Sequence, residues 1–364
     1  MSNVTHAVPT AHFHDDRHQH PQDWQRLASY LRGQGLSFDS DTPPRQFAAG
    51  FGNFNYLIRV DGQWAVLRRP PPGPIPPGAN DMARESLILS RLPKAYPLAP
   101  RTLHYCEDSH VLGARFFIME YRAGLSIGGQ LPEAVQQSWH GEAPVGEYLG
   151  TLLIRLLADL HAIPPEQVGL DSLGKPDGFI RRTLDGWTQR ARLAWENDLP
   201  MELVQVIEWL EQRIPADQRH CFIHNDFKLD NVLLRETDLS PVAVIDWDMG
   251  TRGAPLYDLA VLLSYWTERG DPPCMHALGQ MPTAGNGFPS REQAAAHYQS
   301  LTGVSLTSLH FFRVLALLRS AVVFQQIHRR RSRDEKESGT IPDFEQLARE
   351  LSSFTLEVTR GRYY

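Results

Sequence analysis

Two segments in the second half of the chain combine the residue types that a metal-assisted transfer of phosphate requires. Residues 224–231 read His-Asn-Asp-Phe-Lys-Leu-Asp-Asn, and residues 245–248 read Ile-Asp-Trp-Asp. The transferred group is highly anionic, so its transfer depends mostly on positioning and on neutralising charge. Magnesium is a hard cation and prefers oxygen ligands. Asn231, and Asp246 fifteen residues later, are therefore candidate metal ligands.

The first segment also holds two candidates for the chemical step. One carboxylate must face the acceptor hydroxyl, orient it and receive its proton, and Asp226 suits that role. Lys228 lies two residues further on, so in an extended loop it points the same way and could hold the γ-phosphate. Short apolar runs at residues 232–234 and 242–245 are typical of short buried strands that would fix these groups.

An upstream segment has the character of a phosphate loop. Residues 49–56 read Ala-Gly-Phe-Gly-Asn-Phe-Asn-Tyr and lead into a predicted hairpin. Glycine lets backbone N–H groups approach phosphates closely, which makes Gly50, Gly52 and Asn53 candidate nucleotide-binding residues. A single Gly-x-Gly is a weak signal, and an ordinary turn is the alternative interpretation.

The surrounding pattern predicts a β-rich first part and a helical second part. The sequence predicts two strands, at residues 55–60 and 63–68, joined by the hairpin signal Asp61-Gly62. A proline-rich stretch follows at residues 70–77, then a helix at residues 81–92 and a further strand within residues 111–120. Apolar residues at helical spacing then recur at residues 145–162, 203–214, 256–266, 291–301, 309–327 and 344–358. Residues 270–289 are rich in Gly and Pro and form the longest predicted loop.

Composition limits the class of protein. With 364 residues, 42% hydrophobic and 21% charged, the chain is long enough for two lobes with a large core. A net charge of −6 favours a small-molecule partner over nucleic acid or a membrane, and a monomer or homodimer is expected. Sparse cysteines, no apolar run of about 20 residues and no signal pattern predict a cytoplasmic protein. Residues 1–21 are rich in histidine and are interpreted as a mobile tail.

These motifs resemble the protein-kinase-like superfamily, and within it the aminoglycoside phosphotransferase and choline kinase group. The spacing His-x-Asp-x-x-x-x-Asn followed by Ile-Asp-Trp-Asp is specific for that group. The resemblance implies an α+β, protein-kinase-like two-lobed fold with ATP and Mg²⁺ as cofactors. It implies a small β-rich, nucleotide-binding N-lobe at residues 22–122. A larger, mainly helical C-lobe at residues 123–364 would carry the catalytic loop and the substrate-binding helices.

The resemblance also implies a cation and an acid in the N-lobe. Residues 65–68 read Ala-Val-Leu-Arg and stand where protein kinases have Val-Ala-Ile-Lys, so Arg68 replaces the usual lysine. Arginine still offers a permanent charge and a fork suited to phosphate. Strand alternation places Arg68, rather than Arg69, on the face of Val66. Glu85 is the only glutamate on the following predicted helix and could pair with Arg68, with a surface acid as the alternative.

Further positions are assigned by the resemblance alone. Glu120 and Tyr121 would form the hinge that reads adenine through backbone groups. Gly52 stands where the group often has serine. His224 and Asp258 are interpreted as braces of the catalytic loop.

Three stretches, residues 67–73, 287–292 and 309–330, resemble one subfamily in particular. It consists of kinase-like domains found alone in bacteria and fused to acyl-CoA dehydrogenases in animals. The fused members phosphorylate hydroxyacyl-CoA substrates, so a hydroxyacyl-CoA or hydroxy acid is the expected acceptor. From Glu268 onward the charge balance is slightly basic, which disfavours a polycationic aminoglycoside.

Two alternatives stay open at this point. The first is an aminoglycoside or amino-alcohol kinase. The second is a catalytically inactive, nucleotide-binding regulatory protein, which the arginine at position 68 supports. The presence of Asp226, Asn231 and Asp246 argues against inactivity, because a protein that only binds nucleotide needs no proton acceptor.

Overall fold

The computed structural model divides the chain into two compact units. The first unit comprises Met1–Leu125 and Leu233–Met249, and the second comprises Ser126–Val232 and Gly250–Tyr364. The residues described are 11–15, 17–48, 52–73, 80–216, 219–333 and 343–363. Gly50, the first ten residues of the predicted tail and residues 74–77 of the proline-rich stretch lie outside the described residues. The limits predicted for an N-lobe and a C-lobe stay a prediction.

A five-stranded antiparallel sheet dominates the first unit, in the order β1-β2-β3-β5-β4. Its strands are β1 (Arg45–Gln46), β2 (Phe54–Val60), β3 (Gln63–Arg69), β4 (Thr102–Cys106) and β5 (Phe116–Glu120). The predicted hairpin is confirmed by β2 and β3, since Val60 pairs with Gln63 across the turn. Asp61 and Gly62 take positive φ values of 49° and 73°, as the favoured two-residue turn requires.

Two helices accompany this sheet. The predicted helix after the proline-rich stretch is α2 (Met82–Arg91), which begins where the side chain of Asp81 accepts a hydrogen bond from the N–H of Arg84 at 3.1 Å. The helix α1 (Trp24–Gly33) was not predicted. Its fully buried residues are Leu27 and Leu31, which join the same core cluster as the sheet. The apolar residues of α1 recur at helical spacing, at Trp24, Leu27, Ala28 and Leu31, so the sequence carried a periodic signal that the prediction missed.

Four short strands lie in the middle of the chain: β6 (Cys221–Ile223), β7 (Val232–Leu234), β8 (Pro241–Val244) and β9 (Thr251–Gly253). Within the second unit, β6 pairs antiparallel with β9. The strand β7 pairs with β8, and residues 233–234 of β7 and all of β8 belong to the first unit. The two strands predicted around residues 232–234 and 242–245 are thereby confirmed.

The second unit is mainly helical. Its helices are α3 (Glu133–Ser138), α4 (Val145–His161), α5 (Phe179–Ala194), α6 (Met201–Glu211), α7 (Pro255–Ser264), α8 (Pro273–Leu278), α9 (Arg291–Thr302), α10 (Leu309–Arg333) and α11 (Phe344–Thr359). Every residue of α7 is buried, as expected of a helix that is apolar on all sides. The long α10 also buries two charged side chains, Arg313 and Arg319.

Two parts of the second unit differ from the sequence prediction. The predicted loop at residues 270–289 contains α8, because Cys274, Met275 and Leu278 are buried and outweigh the surrounding Gly and Pro. The helix α5 was also not predicted. Its buried residues recur at helical spacing, at Ile180, Leu184, Trp187 and Ala191.

The three cysteines are free and buried. Cys106 belongs to the first unit, and Cys221 and Cys274 belong to the second. Burial raises the pKa of the Cys221 thiol and raises that of Cys274 to about 11. Among the described residues, no helix is both long and apolar enough to cross a membrane.

Candidate active site

One buried carboxylate fixes the loop that follows β6. The two oxygens of Asp258 accept hydrogen bonds from the backbone N–H groups of His224 and Asn225, both at 2.7 Å. The same carboxylate lies 3.1 Å from Nε2 of His161. Asn225 takes a left-handed φ of 67°, which asparagine adopts more readily than most residues. These contacts agree with the bracing role that the resemblance implied for His224 and Asp258.

The next residue, Asp226, is clamped by two side chains from distant parts of the sequence. Its Oδ1 accepts hydrogen bonds from the hydroxyl of Tyr265 at 2.7 Å and from Nη2 of Arg319 at 2.9 Å. Nη1 of Arg319 also donates to the Tyr265 hydroxyl at 3.1 Å, which closes a three-residue ring. Burial alone would raise the pKa of Asp226, but Lys228 and Arg319 hold it well below its usual range. The carboxylate is therefore ionised.

Lys228 lies on the other side of the same carboxylate. Its Nζ is 3.7 Å from Oδ2 of Asp226 and 3.3 Å from Oδ2 of Asp230. It also lies 5.4 Å from the centre of the Tyr265 ring, within the range of a cation–π contact. The side chains of Asp226 and Lys228 thus share one side of the loop, with a positive charge next to each carboxylate oxygen.

Asn231 ends the short 3-10 turn Leu229–Asn231. Its Nδ2 donates to the backbone oxygen of Asp226 at 2.9 Å and lies 3.4 Å from Oδ2 of the same residue. These contacts turn the amide so that its oxygen accepts no hydrogen bond from any residue that the structure describes. An uncommitted amide oxygen beside an ionised carboxylate fits the oxygen ligands that Mg²⁺ prefers.

In the first unit, Arg68 is the centre of a second polar cluster. Nε of Arg68 donates to Oε2 of Glu85 at 2.8 Å, and these side chains are only 8% and 1% exposed. Nη1 donates to Oδ1 of Asn55 at 3.3 Å across the β2–β3 ladder, and Nη2 donates to Asp246. Burial alone would lower the pKa of Arg68, but the carboxylates of Glu85 and Asp246 raise it above its ordinary value. Burial raises the pKa of Glu85.

Asp246 follows β8 in a left-handed conformation with φ 67°. The adjacent Trp247 is fully buried, and its indole N–H donates to the backbone oxygen of Val244 at 2.8 Å. Oδ1 of Asp246 pairs with Arg68, whereas Oδ2 accepts from no residue within the described ranges. Asp246 therefore also offers an oxygen that fits a magnesium ion.

The predicted phosphate loop is hydrogen-bonded to Asn80, which lies just before α2. Nδ2 of Asn80 donates to the backbone oxygen of Gly52 at 2.6 Å and to Oδ1 of Asn53 at 2.7 Å. The backbone N–H groups of Gly52 and Asn53 donate to no residue in the part of the chain that the structure describes. Uncommitted N–H groups next to glycine are what a phosphate-binding loop requires.

The predicted hinge residues end β5. The carboxylate of Glu120 accepts hydrogen bonds from Arg101 and from Arg122. Burial would raise the pKa of Glu120, but these hydrogen bonds hold it below its ordinary value. The ring of Tyr121 stacks on that of Phe47 at a centroid distance of 6.5 Å. Because the Glu120 side chain is already paired, any contact with adenine would come from the main chain.

The structure brings most of the predicted site residues into contact with one another. One cluster in the first unit contains Arg68, Glu85 and Asp246. One cluster in the second unit contains Asp226, Lys228 and Asn231. The remaining described candidates lie elsewhere in the first unit: Gly52, Asn53, Glu120 and Tyr121. The roles assigned to all of these residues stay predictions.

Sequence reasoning missed three side chains that contact the candidates: Tyr265, Arg319 and Asn55. Only Arg319 left a usable signal, because it interrupts the long apolar run of α10 with a charge. A charged residue on the buried face of a helix needs a partner inside the protein. Tyr265 and Asn55 carry no comparable signal, since both residue types are common at such positions.

An antiparallel sheet with a buried Arg–Glu pair and a braced loop carrying Asp, Lys and Asn defines the class of protein as protein-kinase-like. The sequence profile described as "Phosphotransferase enzyme family" matches residues 44–296, which is well over half of the chain. The chain therefore belongs to this phosphotransferase family. The α+β kinase-like fold and the resemblance to aminoglycoside phosphotransferases are confirmed.

Three similar proteins illustrate the relationship. Acyl-CoA dehydrogenase family member 10 from Mus musculus is 29% identical over 324 residues, which cover 88% of this chain but only 29% of that protein. A Ralstonia eutropha protein provisionally described as an aminoglycoside phosphotransferase superimposes with a TM-score of 0.71 at 24% identity, covering 94% of this chain and 100% of its own. Aminoglycoside phosphotransferase APH(4)-Ia, as a thermostable mutant with ADP and hygromycin B, gives 0.57 at 16% identity, covering 93% and 99%. At these identities the two solved structures show the shared fold alone.

Proposed function

We propose that this protein is an ATP- and Mg²⁺-dependent phosphotransferase that moves the γ-phosphate of ATP to a hydroxyl group of a small molecule. The observation that carries the proposal is the environment of Asp226. Its carboxylate is ionised, held on one oxygen by Tyr265 and Arg319, and adjacent to the uncommitted amide oxygen of Asn231. A regulatory protein that only binds nucleotide has no use for a carboxylate positioned in this way.

Asp226 would act mainly by orienting the acceptor. The acceptor oxygen forms a bond to the γ-phosphorus while the bond to the ADP oxygen breaks, and the hydroxyl proton passes to the carboxylate. A carboxylate with a pKa well below its usual range is a weak base, so it would accept a hydrogen bond first and the proton only late. This fits the loose transition state of phosphoryl transfer, in which the attacking oxygen needs little activation.

The other candidates would neutralise and hold the phosphates. Arg68, fixed by Glu85, offers a permanent charge to the nucleotide phosphates, and Lys228 offers one to the γ-phosphate. Asn231 and Asp246 each have an oxygen suited to holding Mg²⁺, which when bound neutralises phosphate charge. The ADP complex of APH(4)-Ia supports the use of an adenine nucleotide.

For the acceptor, we favour an anionic or neutral hydroxylated molecule, such as a hydroxy acid or hydroxyacyl-CoA. Two cations besides Lys228 support this choice. The guanidinium groups of Arg190 and Arg319 lie 4.7 and 5.9 Å from the ring centre of Trp187, and Arg319 holds Asp226 directly. Positive charge next to the carboxylate would repel an aminoglycoside polycation. The name of the mouse relative, an acyl-CoA dehydrogenase family member, also points toward acyl-CoA chemistry.

An aminoglycoside acceptor is the second candidate. It is favoured by the hygromycin B complex of APH(4)-Ia, which has the same fold at 16% identity. The two candidates make opposite demands on charge, so a direct comparison of acceptors separates them.

The test is an acceptor screen with Mg·ATP. Hydroxyacyl-CoAs, hydroxy acids, amino alcohols and aminoglycosides are offered in turn, while ADP release is followed by a coupled assay and phosphate transfer by mass spectrometry. We expect acceptor-dependent ADP release that falls roughly 100-fold or more in Asp226→Asn, with ATP binding kept. Asp238→Asn makes the same chemical change at an exposed turn and serves as the matched control.

Each other outcome has its own meaning. Near-normal turnover of Asp226→Asn would refute the role of Asp226. ATP binding without turnover of any acceptor would favour the regulatory protein. Preferred turnover of aminoglycosides would overturn the acceptor class but leave the reaction in place.

A further inference from the structure

Arg69, at the end of β3, is a second buried arginine of the first unit with an unusual set of partners. The residue is only 5% exposed. Its Nε donates to the backbone oxygen of Pro70 at 3.1 Å. Its Nη1 donates to Oε1 of Gln22 at 2.5 Å and to the backbone oxygen of Leu112 at 2.6 Å. All three acceptors are uncharged, and together they fix the plane of the guanidinium group.

Arg69 has no carboxylate partner among the residues that the structure describes. Three other deeply buried arginines each have one, in the pairs Arg68–Glu85, Arg291–Asp271 and Arg319–Asp226. Burial lowers the pKa of Arg69. Arginine is rarely buried unless it is paired, because leaving a buried charge uncompensated is costly. The missing counter-ion therefore calls for an explanation.

A cavity of about 460 Å³ lies against this guanidinium group. Nη2 of Arg69 donates to no described residue. It nevertheless keeps some contact with solvent, unlike the fully enclosed side-chain nitrogens that have no partner. Since Arg69 lines the cavity, Nη2 is the one guanidinium nitrogen left available to a ligand there, because Nε and Nη1 already donate to described residues. Its orientation is set by the bonds that Nε and Nη1 make to Pro70, Gln22 and Leu112, which also line the cavity.

The cavity wall carries a net positive charge. Asp23 is the only carboxylate among the described residues that line the cavity, and its carboxylate already makes two contacts. It caps α1 by accepting from the N–H of Arg26 at 2.9 Å, and it pairs with the Arg26 side chain at 3.3 Å. Among the described residues, Arg69 is thus left without a counter-charge. Apolar groups from Pro71, Val111 and Ala114 complete part of the wall.

We propose that this cavity is a binding site for a small oxyanion, a carboxylate or phosphate group, that pairs with Nη2 of Arg69. The apolar wall would cover the organic part of such a ligand. An anion here supplies a counter-charge that no described residue provides, and a donor pair already fixed in place loses little entropy on binding. The inference is independent of the phosphotransferase reaction, since none of the residues assigned to that reaction lines the cavity.

The simpler explanation is that Arg69 only ties Gln22 and Leu112 together. The two explanations differ in what added anions do. We would measure binding of inorganic phosphate, acetate and hexanoate by calorimetry and by thermal shift, with ionic strength kept constant by chloride. The proposal expects at least one of these anions to bind and stabilise the wild-type protein. Tighter binding of hexanoate than acetate would identify an organic acid, and preference for phosphate would identify a phosphate group.

Two sets of variants locate the binding. Arg69→Gln should weaken anion binding about tenfold or more, because a charge-assisted bond is lost, whereas Arg69→Lys should keep part of it. Arg115→Gln makes the same change at an exposed arginine that does not line the cavity, and it should bind like wild type.

Because Arg69→Gln also removes three internal hydrogen bonds and could fail to fold, a second pair leaves Arg69 intact. Ala114→Glu places a carboxylate in the cavity wall, so it should raise thermal stability relative to Ala114→Gln and abolish anion binding. Absence of anion binding in the wild type would overturn the proposal. Equal binding in Ala114→Glu and Ala114→Gln would also overturn it, since that result places the anion elsewhere.

Discussion

Replacing Arg319 with methionine tests whether the clamp on Asp226 positions the reacting group. The side chain of Arg319 is 4% exposed, and its guanidinium group donates to both Asp226 and Tyr265. Methionine keeps most of the volume and the flexible stem but removes that group. Oδ1 of Asp226 would then keep only the Tyr265 hydroxyl. The carboxylate could rotate toward Lys228, away from the orientation that an acceptor hydroxyl requires.

The size of the effect follows from the bonds lost. A hydrogen bond to a charged group contributes about 1.5–3 kcal/mol. If that contribution is needed in the transition state, kcat falls about 10- to 100-fold. Removing one partner of a buried ion pair destabilises a fold by about 3–5 kcal/mol. We expect about 3 kcal/mol here, because Lys228 still faces the carboxylate. Arg319→Lys should retain more activity, since it keeps the charge but cannot reach both partners with one fork.

The assay is steady-state kinetics with the best acceptor from the screen, corrected for folded protein by circular dichroism. We expect kcat to fall while KM for Mg·ATP changes by less than about twofold, because the lost contacts belong to the acceptor side. Arg313→Met, at a similarly buried arginine of the same helix, is the control for destabilisation. Equal losses of kcat in Arg319→Met and Arg313→Met would show that Arg319 has no positioning role.

Three further perturbations follow from the site. Asp246→Ala should abolish Mg²⁺-dependent nucleotide binding in calorimetry, because a proposed metal ligand and a partner of Arg68 are lost together; unchanged Mg·ATP affinity would contradict the metal role. Arg68→Lys should keep more activity than Arg68→Ala, since charge is retained although the fork is not, and equal losses would remove Arg68 from phosphate binding. Asp258→Asn leaves the two backbone N–H groups with one acceptor oxygen between them, which should cost about 1–3 kcal/mol in chemical denaturation. A stability equal to that of wild type would show that the brace is dispensable.

Local patterns predicted much of the architecture. Neighbouring residues determine the Asp61-Gly62 turn and the cap at Asp81. They also determine the apolar periodicity of α4, α7, α9, α10 and α11. Short-range chemistry decides such features, so a single sequence suffices to recognise them. The helices α1 and α5 were missed although their buried residues recur at helical spacing, at Leu27 and Leu31 in α1 and at Leu184, Trp187 and Ala191 in α5.

Long-range contacts could not be predicted in the same way. The partners of Asp226 are Tyr265 and Arg319, which lie 39 and 93 positions further along the chain. No residue near Asp226 in the sequence indicates these contacts. The grouping of residues 233–249 with the first unit is equally invisible in local sequence. Arg69 is the clearest example. Strand alternation correctly separated it from Arg68, but its uncharged partners Gln22 and Leu112 are brought near it only by the folded chain.

The burial of all three thiols gives the molecule a built-in set of reporters. A thiol sealed inside the native protein reacts with an alkylating reagent only when its surroundings open, so its labelling rate measures a local opening equilibrium. Cys106 would report on the first unit, while Cys221 and Cys274 would report on the second. Peptide mass spectrometry of a labelling time course, with and without nucleotide, would therefore reveal which unit a ligand stabilises, without adding any probe to the chain.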